Sequence, residues 1–194
     1  MPYPDRAETP RLLLRRWEAA DGPAMRAIWS ERVIWRAIRP GIPFDPEQWR
    51  GMLDRQLGHW RRHGFGLWAV VERSSGEAIG WVGPTHPAHV PELADRIEIG
   101  WTLLRPFWGR GLATEGAAAA IDATFSHLET DEVISLIHHT NERSIAVADR
   151  LGMRHTRDVP HAELGEDLRV YALSRIAWSS RSSRGASAQS TSSR

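Results

Sequence analysis

The chain has 194 residues, a formal net charge of +1 and no cysteine, and all 25 of its Lys+Arg residues are arginine. This length favours a single domain with one substantial core. The lack of cysteine excludes disulfides, thiolate metal sites and a cysteine nucleophile, and the lack of lysine excludes a P-loop and Schiff-base chemistry. The near balance of charge gives no electrostatic reason to expect nucleic acid as a partner.

The N-terminal segment, MPYPDRAETP, has no apolar core of the kind found in signal peptides, and no stretch approaches the ~18 apolar residues of a membrane helix. We therefore predict a cytoplasmic location and no membrane partner.

The first half of the chain predicts a strand, two helices and a hairpin. Residues 11–17 form a short apolar run typical of a strand, and Asp21 can cap a helix that continues to about Ile34. After a loop at 39–44, Asp45 as cap and Pro46 at the first helical position predict a second helix to His63. Residues 65–83 predict a hairpin that turns at Ser74, Ser75 and Gly76, and a proline-rich loop follows at 84–95.

The second half predicts a strand from 97 to 103, because apolar residues alternate with Glu98, Gly100 and Thr102 until Pro106 ends the pattern. An alanine-rich helix follows, then a strand at 132–138 and a helix from Asn141 to Gly152. Residues 153–158 and 167–176 predict the last two strands. We predict one domain over 9–177 and a disordered, Ser/Arg-rich tail over 178–194.

The loop between the predicted central strand and the alanine-rich helix reads FWGRGLA at 107–113. The first turn of a helix offers unpaired N–H groups and the positive end of the helix dipole, so it can hold an anion. Gly109, Gly111 and Ala113 would let a diphosphate approach the backbone, and Arg110 adds a cation. A bare G-x-G is also typical of an ordinary tight turn, and Thr114 stands where a dinucleotide fingerprint needs its third glycine.

These residues resemble the pyrophosphate loop of the GCN5-related N-acetyltransferase (GNAT) superfamily, [QR]-x-x-G-x-[GA], which WGRGLA at 108–113 matches except at Trp108. GRGLATE at 109–115 is similar to the branch that acetylates the N-termini of ribosomal proteins. The resemblance runs from about residue 9 to residue 153. It implies a single-domain α/β fold with a mixed, twisted sheet of about seven strands, flanked by helices and splayed between the fourth and fifth strands.

The resemblance also implies that acetyl-CoA is the co-substrate and enters this splay. The strand backbone would hold its pantetheine arm, the loop its diphosphate, and the start of the next helix would lie beside it. The implied cofactor-binding residues are Trp101, Thr102, Leu103, Leu104, Trp108, Gly109, Arg110, Gly111, Leu112, Ala113, Thr114, Asn141 and Ser144. Asn141 is equally suited to cap its own helix.

Acetyl transfer requires a neutral amine, and most amines are protonated near pH 7, so a base is useful. Glu98 is the candidate base, because related enzymes often carry a glutamate here and an apolar cleft would raise its pKa. The structural alternative is a solvated strand glutamate or an ion pair of Glu98 with Arg96 or Arg105. In the family, a tyrosine that donates a proton to the leaving thiolate often stands where this chain has Ala148. We therefore assign Ser144 or water as the proton donor.

The nine histidines do not predict a metal site. His59 and His63 lack the glutamate of an H-E-x-x-H motif, adjacent strand residues such as His138 and His139 should face opposite sides, and no third ligand is indicated.

The sequence thus predicts an enzyme that transfers an acetyl group to a primary amine, with a protein N-terminus as the first acceptor class. A small amine or antibiotic is the second acceptor class, and a catalytically silent acyl-CoA-binding regulator is an alternative on the same fold. A monomer and a homodimer are both compatible with the sequence.

Overall fold

A computed structural model describes residues 1–40, 42, 45, 47, 49, 51–161 and 163–181. Eight strands form one open sheet, and they are β1 Arg6–Glu8, β2 Leu12–Arg15, β3 Trp68–Glu72, β4 Ala78–Thr85, β5 Ile97–Leu103, β6 Glu132–His138, β7 Arg154–His161 and β8 Glu166–Ser174. Their order across the sheet is β1-β2-β3-β4-β5-β6-β8-β7. Neighbouring strands are antiparallel except β5 and β6, which are parallel. The mixed α/β sheet that the resemblance implies is confirmed.

Helices cover both faces of this sheet, and they are α1 Gly22–Trp29, α2 Arg32–Ile38, α3 Met52–His63, α4 Leu112–His127, α5 Glu142–Leu151 and α6 at residues 175–181. Successive residues of a strand point to opposite faces. Trp68 and Val70 of β3 accordingly belong to the core cluster that contains α4, whereas Ala69 packs in a separate cluster with residues of α1, α2 and α3. The apolar run of β3 is therefore buried on both sides.

The structure adds a short strand to the prediction. β1 lies before residue 9 and pairs with β2 through Arg6↔Arg15, Ala7↔Leu14 and Glu8↔Leu13. Its three residues carry no alternation of apolar side chains, so no pattern in the sequence indicated it. The sheet has eight strands rather than about seven.

Two predicted helices have different limits in the structure. The helix expected from Asp21 to about Ile34 is divided at Ser30, whose N–H still bonds to Arg26 O at 2.9 Å before the chain turns into α2. The helix expected from Asp45 begins only at Met52, because Gly51 adopts a left-handed φ of 75° just before it. The predicted first helical residue, Pro46, and half of the loop at 39–44 lie outside the described residues.

The predicted disordered tail is wrong in its first four residues, since α6 runs from 175 to 181. Trp178 packs against the main core and donates from its indole nitrogen to Asp122 Oδ1 at 2.6 Å. A single apolar residue such as Trp178 in a Ser/Arg-rich stretch does not form a helical pattern, so the sequence did not indicate this helix. Residues 182–194 lie outside the described part of the chain. Within that part, no helix combines the length and apolar character needed to cross a membrane.

Candidate active site

The centre of the site is the point where β5 and β6 separate. The two strands pair only through Ile97↔Val133 and Glu98↔Ile134. Ser135 Oγ then donates to Ile99 O at 2.7 Å, beyond the last paired residues. From Gly100 to Leu103, β5 pairs with β4 on its other side and, among the described strands, with no partner on the β6 side. The predicted splay is confirmed, and it leaves backbone groups of β5 facing an open cleft.

A cavity of about 380 Å³ runs along this cleft from the end of β5 to the start of α4. The first turn of α5 forms its opposite wall. Most of the predicted cofactor-binding residues line it, namely Trp101, Thr102, Leu103, Trp108, Gly109, Gly111, Leu112, Ala113, Thr114, Asn141 and Ser144. The structure thus brings together the strand, the loop and the helix that the sequence singled out.

Leu104 and Arg110 are not among the lining residues. The Leu104 amide turns to the other side of the strand and donates to Ile79 O at 2.8 Å. The Arg110 guanidinium bonds to Glu72 Oε1 at 2.5 Å and lies over the ring of Phe107. Glu72 is buried at the end of β3, so this ion pair draws Arg110 towards the sheet. Burial alone would raise the pKa of Glu72, but hydrogen bonds from Ser75 and then from Arg110 lower it.

The loop that ends this cavity depends on two glycines with left-handed backbone angles. Gly109 has a φ of 73° and Gly111, the N-cap of α4, has a φ of 77°. Other residues rarely adopt these angles. A Cβ on Gly109 would have open space, and one on Gly111 would come no closer than 3.6 Å to the Arg11 side chain. The turn itself therefore requires these glycines, and no protein atom near them does.

The sequence analysis missed a group of hydrogen bonds behind this loop, formed by Thr9, Arg11, Arg110 and Glu115, which we call the brace. Glu115 in the first turn of α4 accepts hydrogen bonds from Thr9 Oγ1 at 2.6 Å, from the Arg11 amide at 2.9 Å and from Arg11 Nε at 2.7 Å. Arg11 also donates to Arg110 O at 2.8 Å. These bonds lower the pKa of Glu115 against the effect of its burial. More than a hundred residues separate the partners, so local patterns could not indicate the contact.

Glu98 lines a second cavity of about 440 Å³ on the other side of the splay. Burial raises its pKa to about 7, although a hydrogen bond from the Leu136 backbone opposes the rise. The alternative ion pair is not formed with Arg96, which pairs with Glu132 instead. A carboxyl that titrates near neutral pH in a cleft is suited to accept a proton from a substrate.

The two cavities adjoin, because Ala37, Ile38, Trp101, Asn141 and Ser144 line both of them. Asn141 Oδ1 accepts the Ser144 N–H at 3.2 Å, which is the cap of α5 that the sequence indicates. Its Nδ2 donates to Ala37 O at 2.9 Å and ties α5 to α2. Ala148 is buried in the core one turn further along α5 and offers no polar group to the site.

His138 and His139 do not face opposite sides of a strand, contrary to the prediction. β6 ends at His138, so His139 lies beyond the strand and does not point to its opposite face; the two ring centroids are 4.3 Å apart. Glu166 joins them, and one ligand atom from each of the three residues lies within 4.8 Å of the others. Both ring nitrogens of His138 are already bonded, Nδ1 to Thr140 Oγ1 at 2.8 Å and Nε2 to Glu166 Oε2 at 2.9 Å. These two hydrogen bonds satisfy both ring nitrogens of the buried His138.

Comparison with known proteins agrees with this geometry. Residues 11–154 match the model of the acetyltransferase (GNAT) domain family. The crystal structure of an acetyltransferase from Agrobacterium tumefaciens superposes with a TM-score of 0.74 at 30% identity, over 88% of this chain and 94% of that one. A ribosomal-protein-serine acetyltransferase from Vibrio cholerae, at 18% identity and a TM-score of 0.70 over 90% of this chain and 99% of that one, shares the fold.

Among curated relatives, an Aspergillus fumigatus protein described as an FsC-acetyl coenzyme A-N(2)-transacetylase is 32% identical over 125 residues, which are 59% of this chain and 52% of that protein. A Bacillus subtilis relative of uncharacterised function is 29% identical over 118 residues, or 59% of this chain and 66% of its own. The chain thus spans about half to two thirds of the length of these two relatives.

Proposed function

Because the chain belongs to the GNAT acetyltransferase family, we propose that it transfers the acetyl group of acetyl-CoA to a primary amine by direct attack. The observation that carries this proposal is the pair of adjoining cavities at the β5–β6 splay, one ending at a helix N-terminus and the other containing Glu98. An extended thioester fits the first and an amine fits the second, so their reacting ends would meet at the shared wall.

The described residues fit acetyl-CoA in three places. The edge of β5 that faces the cleft, from Gly100 to Leu103, pairs with no described strand and can bond a pantetheine arm as a further strand would. Its Leu103 carbonyl already accepts the Trp108 Nε1–H at 2.6 Å, so the remaining groups of this edge are the ones available. The amides at the start of α4, behind Gly111, can hold a diphosphate. An amide of β5 can also stabilise the negative charge that develops on the thioester oxygen.

In the reaction a C–N bond forms between the amine and the acetyl carbon, and the C–S bond of the thioester breaks. Glu98 takes the proton that the amine nitrogen loses, and Ser144 or water supplies a proton to the departing thiolate. Ser144 lines both cavities, which supports that choice, whereas Ala148 can donate nothing. A coenzyme A thiolate is a good leaving group, so a weak acid or water is sufficient.

Two acceptor classes remain in the proposal, a protein N-terminus and a small amine. The name of the Aspergillus relative describes transfer to a nitrogen of a compound called FsC, which supports a small-molecule acceptor here as well. We therefore put small amines first and N-terminal peptides second.

The test is release of coenzyme A thiol from acetyl-CoA in the presence of amino acids, simple amines, polyamines, aminoglycosides and N-terminal peptides. Glu98→Gln is the matched variant, since it preserves the size of the side chain but accepts no proton. Turnover that depends on an amine and is lost in Glu98→Gln supports the proposal. Tight binding of acetyl-CoA without turnover of any amine would instead indicate a regulator.

A further inference from the structure

One end of the cavity that contains Glu98 is lined by basic side chains from three separate segments. Arg39 follows the last residue of α2, His89 lies in the loop between β4 and β5, and His161 ends β7. The rings of His89 and His161 are 5.2 Å apart. Residues so distant in the sequence meet here only because the three segments converge at this rim.

The three groups disfavour each other's positive charge. Burial lowers the pKa of His89, and the charges of His161 and Arg39 lower it further. The pKa of His161 is lowered by its burial and by Arg39 in the same way. His161 Nδ1 accepts the Leu164 N–H at 3.2 Å, so its own hydrogen is on Nε2, which remains a donor. Both imidazoles are therefore neutral near pH 7, so a bound anion would pair with Arg39, accept hydrogen bonds from the ring N–H groups and raise both pKa values.

Arg39 already has an anionic neighbour, since its guanidinium forms an ion pair with Glu163 and lies over the ring of Trp35. The Glu163 side chain is 61% exposed, and such exposed pairs contribute little. A carboxylate delivered by a ligand that also buries apolar surface can therefore replace Glu163. Trp29, Trp81 and Leu168 supply apolar surface in the same cavity.

We propose that Arg39, His89 and His161 form an anion subsite, so that the acceptor is a primary amine that also carries a carboxylate. This inference rests on the proposed function. Glu98 receives the amine, the subsite receives the carboxylate, and the aromatic and aliphatic wall holds the hydrocarbon between them. A polycation such as an aminoglycoside would bring further positive charge to Arg39 and is disfavoured.

The test compares matched acceptors at saturating acetyl-CoA. Phenylalanine is paired with phenethylamine, and straight-chain amino carboxylates from glycine to 6-aminohexanoate are paired with alkylamines of the same length. We expect at least one amino carboxylate to exceed its partner about tenfold or more in kcat/KM, mainly through a lower KM. Equal or better turnover of every uncharged partner, or a preference for polycations, overturns the subsite and leaves the proposed acetyl transfer intact.

Three variants locate the preference. Arg39→Gln should abolish it, His161→Gln should weaken it, and Glu163→Gln should strengthen it about two- to fivefold, because the competitor for Arg39 is removed. All three should retain turnover of the uncharged amine, which separates loss of the subsite from loss of folding. If the preference for the amino carboxylate persists in Arg39→Gln, the anion subsite is wrong. If Arg39→Gln does not fold, a preference that is unchanged in both His161→Gln and Glu163→Gln overturns the subsite instead.

If no amine is acetylated, binding decides instead. Calorimetry on the protein with coenzyme A would compare N-acetylphenylalanine with N-acetylphenethylamine, which differ in the carboxylate. If N-acetylphenylalanine binds more tightly, and this advantage disappears in Arg39→Gln, the subsite is supported even though the proposed reaction has failed. Equal binding of the two compounds overturns it.

Discussion

In the proposed reaction, Glu98 is the residue on which the chemistry depends most directly. A carboxyl whose pKa is about 7 is half deprotonated at neutral pH and can accept a proton from the amine there. We expect Glu98→Gln to lower kcat/KM by about 10² to 10⁴ while acetyl-CoA affinity remains near that of the wild type.

The pH profile gives the sharper measurement for this variant. Wild-type kcat/KM should rise with pH through a step near 7 that comes from Glu98 and a higher one that comes from the amine. Only the lower step should disappear in Glu98→Gln. A variant that keeps both its rate and that step would make Glu98 a structural residue, with the amine losing its proton to solvent.

The same raised pKa has a cost in stability. Glu98 has an ordinary pKa of 4.5 in the unfolded chain and about 7 in the folded protein, so the folded state binds the proton more tightly. Its contribution to stability is complete below pH 4.5 and is lost as the pH rises through 7. Glu98→Gln should therefore become more stable than the wild type across this window, by up to about 3 kcal/mol at pH 8. Unfolding curves of both proteins at pH 4.5 and pH 8 check this, and a difference independent of pH would contradict it.

At the scale of single residues, the sequence indicated a site residue where its chemical type and its place in a motif pointed to the same role. Glu98 and Gly111 were both identified by their type and by their place in a motif, and the structure puts both on cavity walls. Arg110 shows the limit of that reasoning, because its partner Glu72 belongs to another strand and directs the guanidinium away from the cavity. Long-range pairs of this kind follow from the fold and leave no local pattern.

In the proposed function, the first turn of α4 is the element that holds the diphosphate of acetyl-CoA. Ala113 lies in this turn and lines the cavity. An acidic residue there suits the helix dipole, so Ala113→Asp should fold, but its carboxylate would compete with a diphosphate for the same amides. We expect Ala113→Asp to weaken acetyl-CoA binding about a hundredfold by calorimetry, and Ala113→Asn, which has the same shape without the charge, to weaken it much less. Equal effects of the two variants would indicate a steric rather than an electrostatic site.

A separate prediction concerns the brace of hydrogen bonds behind this turn, in which Arg11 contacts Glu115 and Arg110. Arg11→Ala removes the side-chain bonds to Glu115 and to Arg110 O, whereas the bonds from Thr9 and from the residue 11 amide to Glu115 remain. The loop that carries Gly109 and Gly111 therefore loses part of its support. Because Arg11 is half exposed, the loss of stability should be only about 1 kcal/mol. Acetyl-CoA affinity should fall about three- to tenfold, since the loop must then be ordered on binding. Arg16→Ala, which removes an exposed pair with Asp5 and a contact over the Trp60 ring, both away from the loop, is the control.

Most elements of the fold could be predicted from the sequence, because their patterns are local. β6 has the predicted limits, and α5 lies between its predicted cap Asn141 and the predicted terminating Gly152. The failures occurred where context overrides pattern. α1 and α2 together resemble one amphipathic helix, and only the turn at Ser30 redirects the second half to the cavities.

For the molecule as a whole, the proposed function requires that α2 and α5 remain fixed relative to each other, since both line the two cavities. Asn141 makes this connection by capping α5 with Oδ1 and donating to Ala37 O of α2 with Nδ2. Asp is as good an N-cap as Asn, but it has no N–H to offer, and its charge would face a carbonyl at the negative end of α2. Asn141→Asp therefore keeps α5 and releases α2, whereas Asn141→Ala loses both bonds.

We expect Asn141→Asp to raise KM for acetyl-CoA and for the amine together, by about three- to tenfold each, because the wall that moves is common to both cavities. Its unfolding free energy should fall by about 1 kcal/mol, and that of Asn141→Ala by about 2 kcal/mol, since the cap is then lost as well. Steady-state kinetics and denaturant unfolding of the two variants give these values. A rise in KM for acetyl-CoA alone would mean that Asn141 acts by touching the pantetheine arm, and the link between α2 and α5 would then be incidental to catalysis.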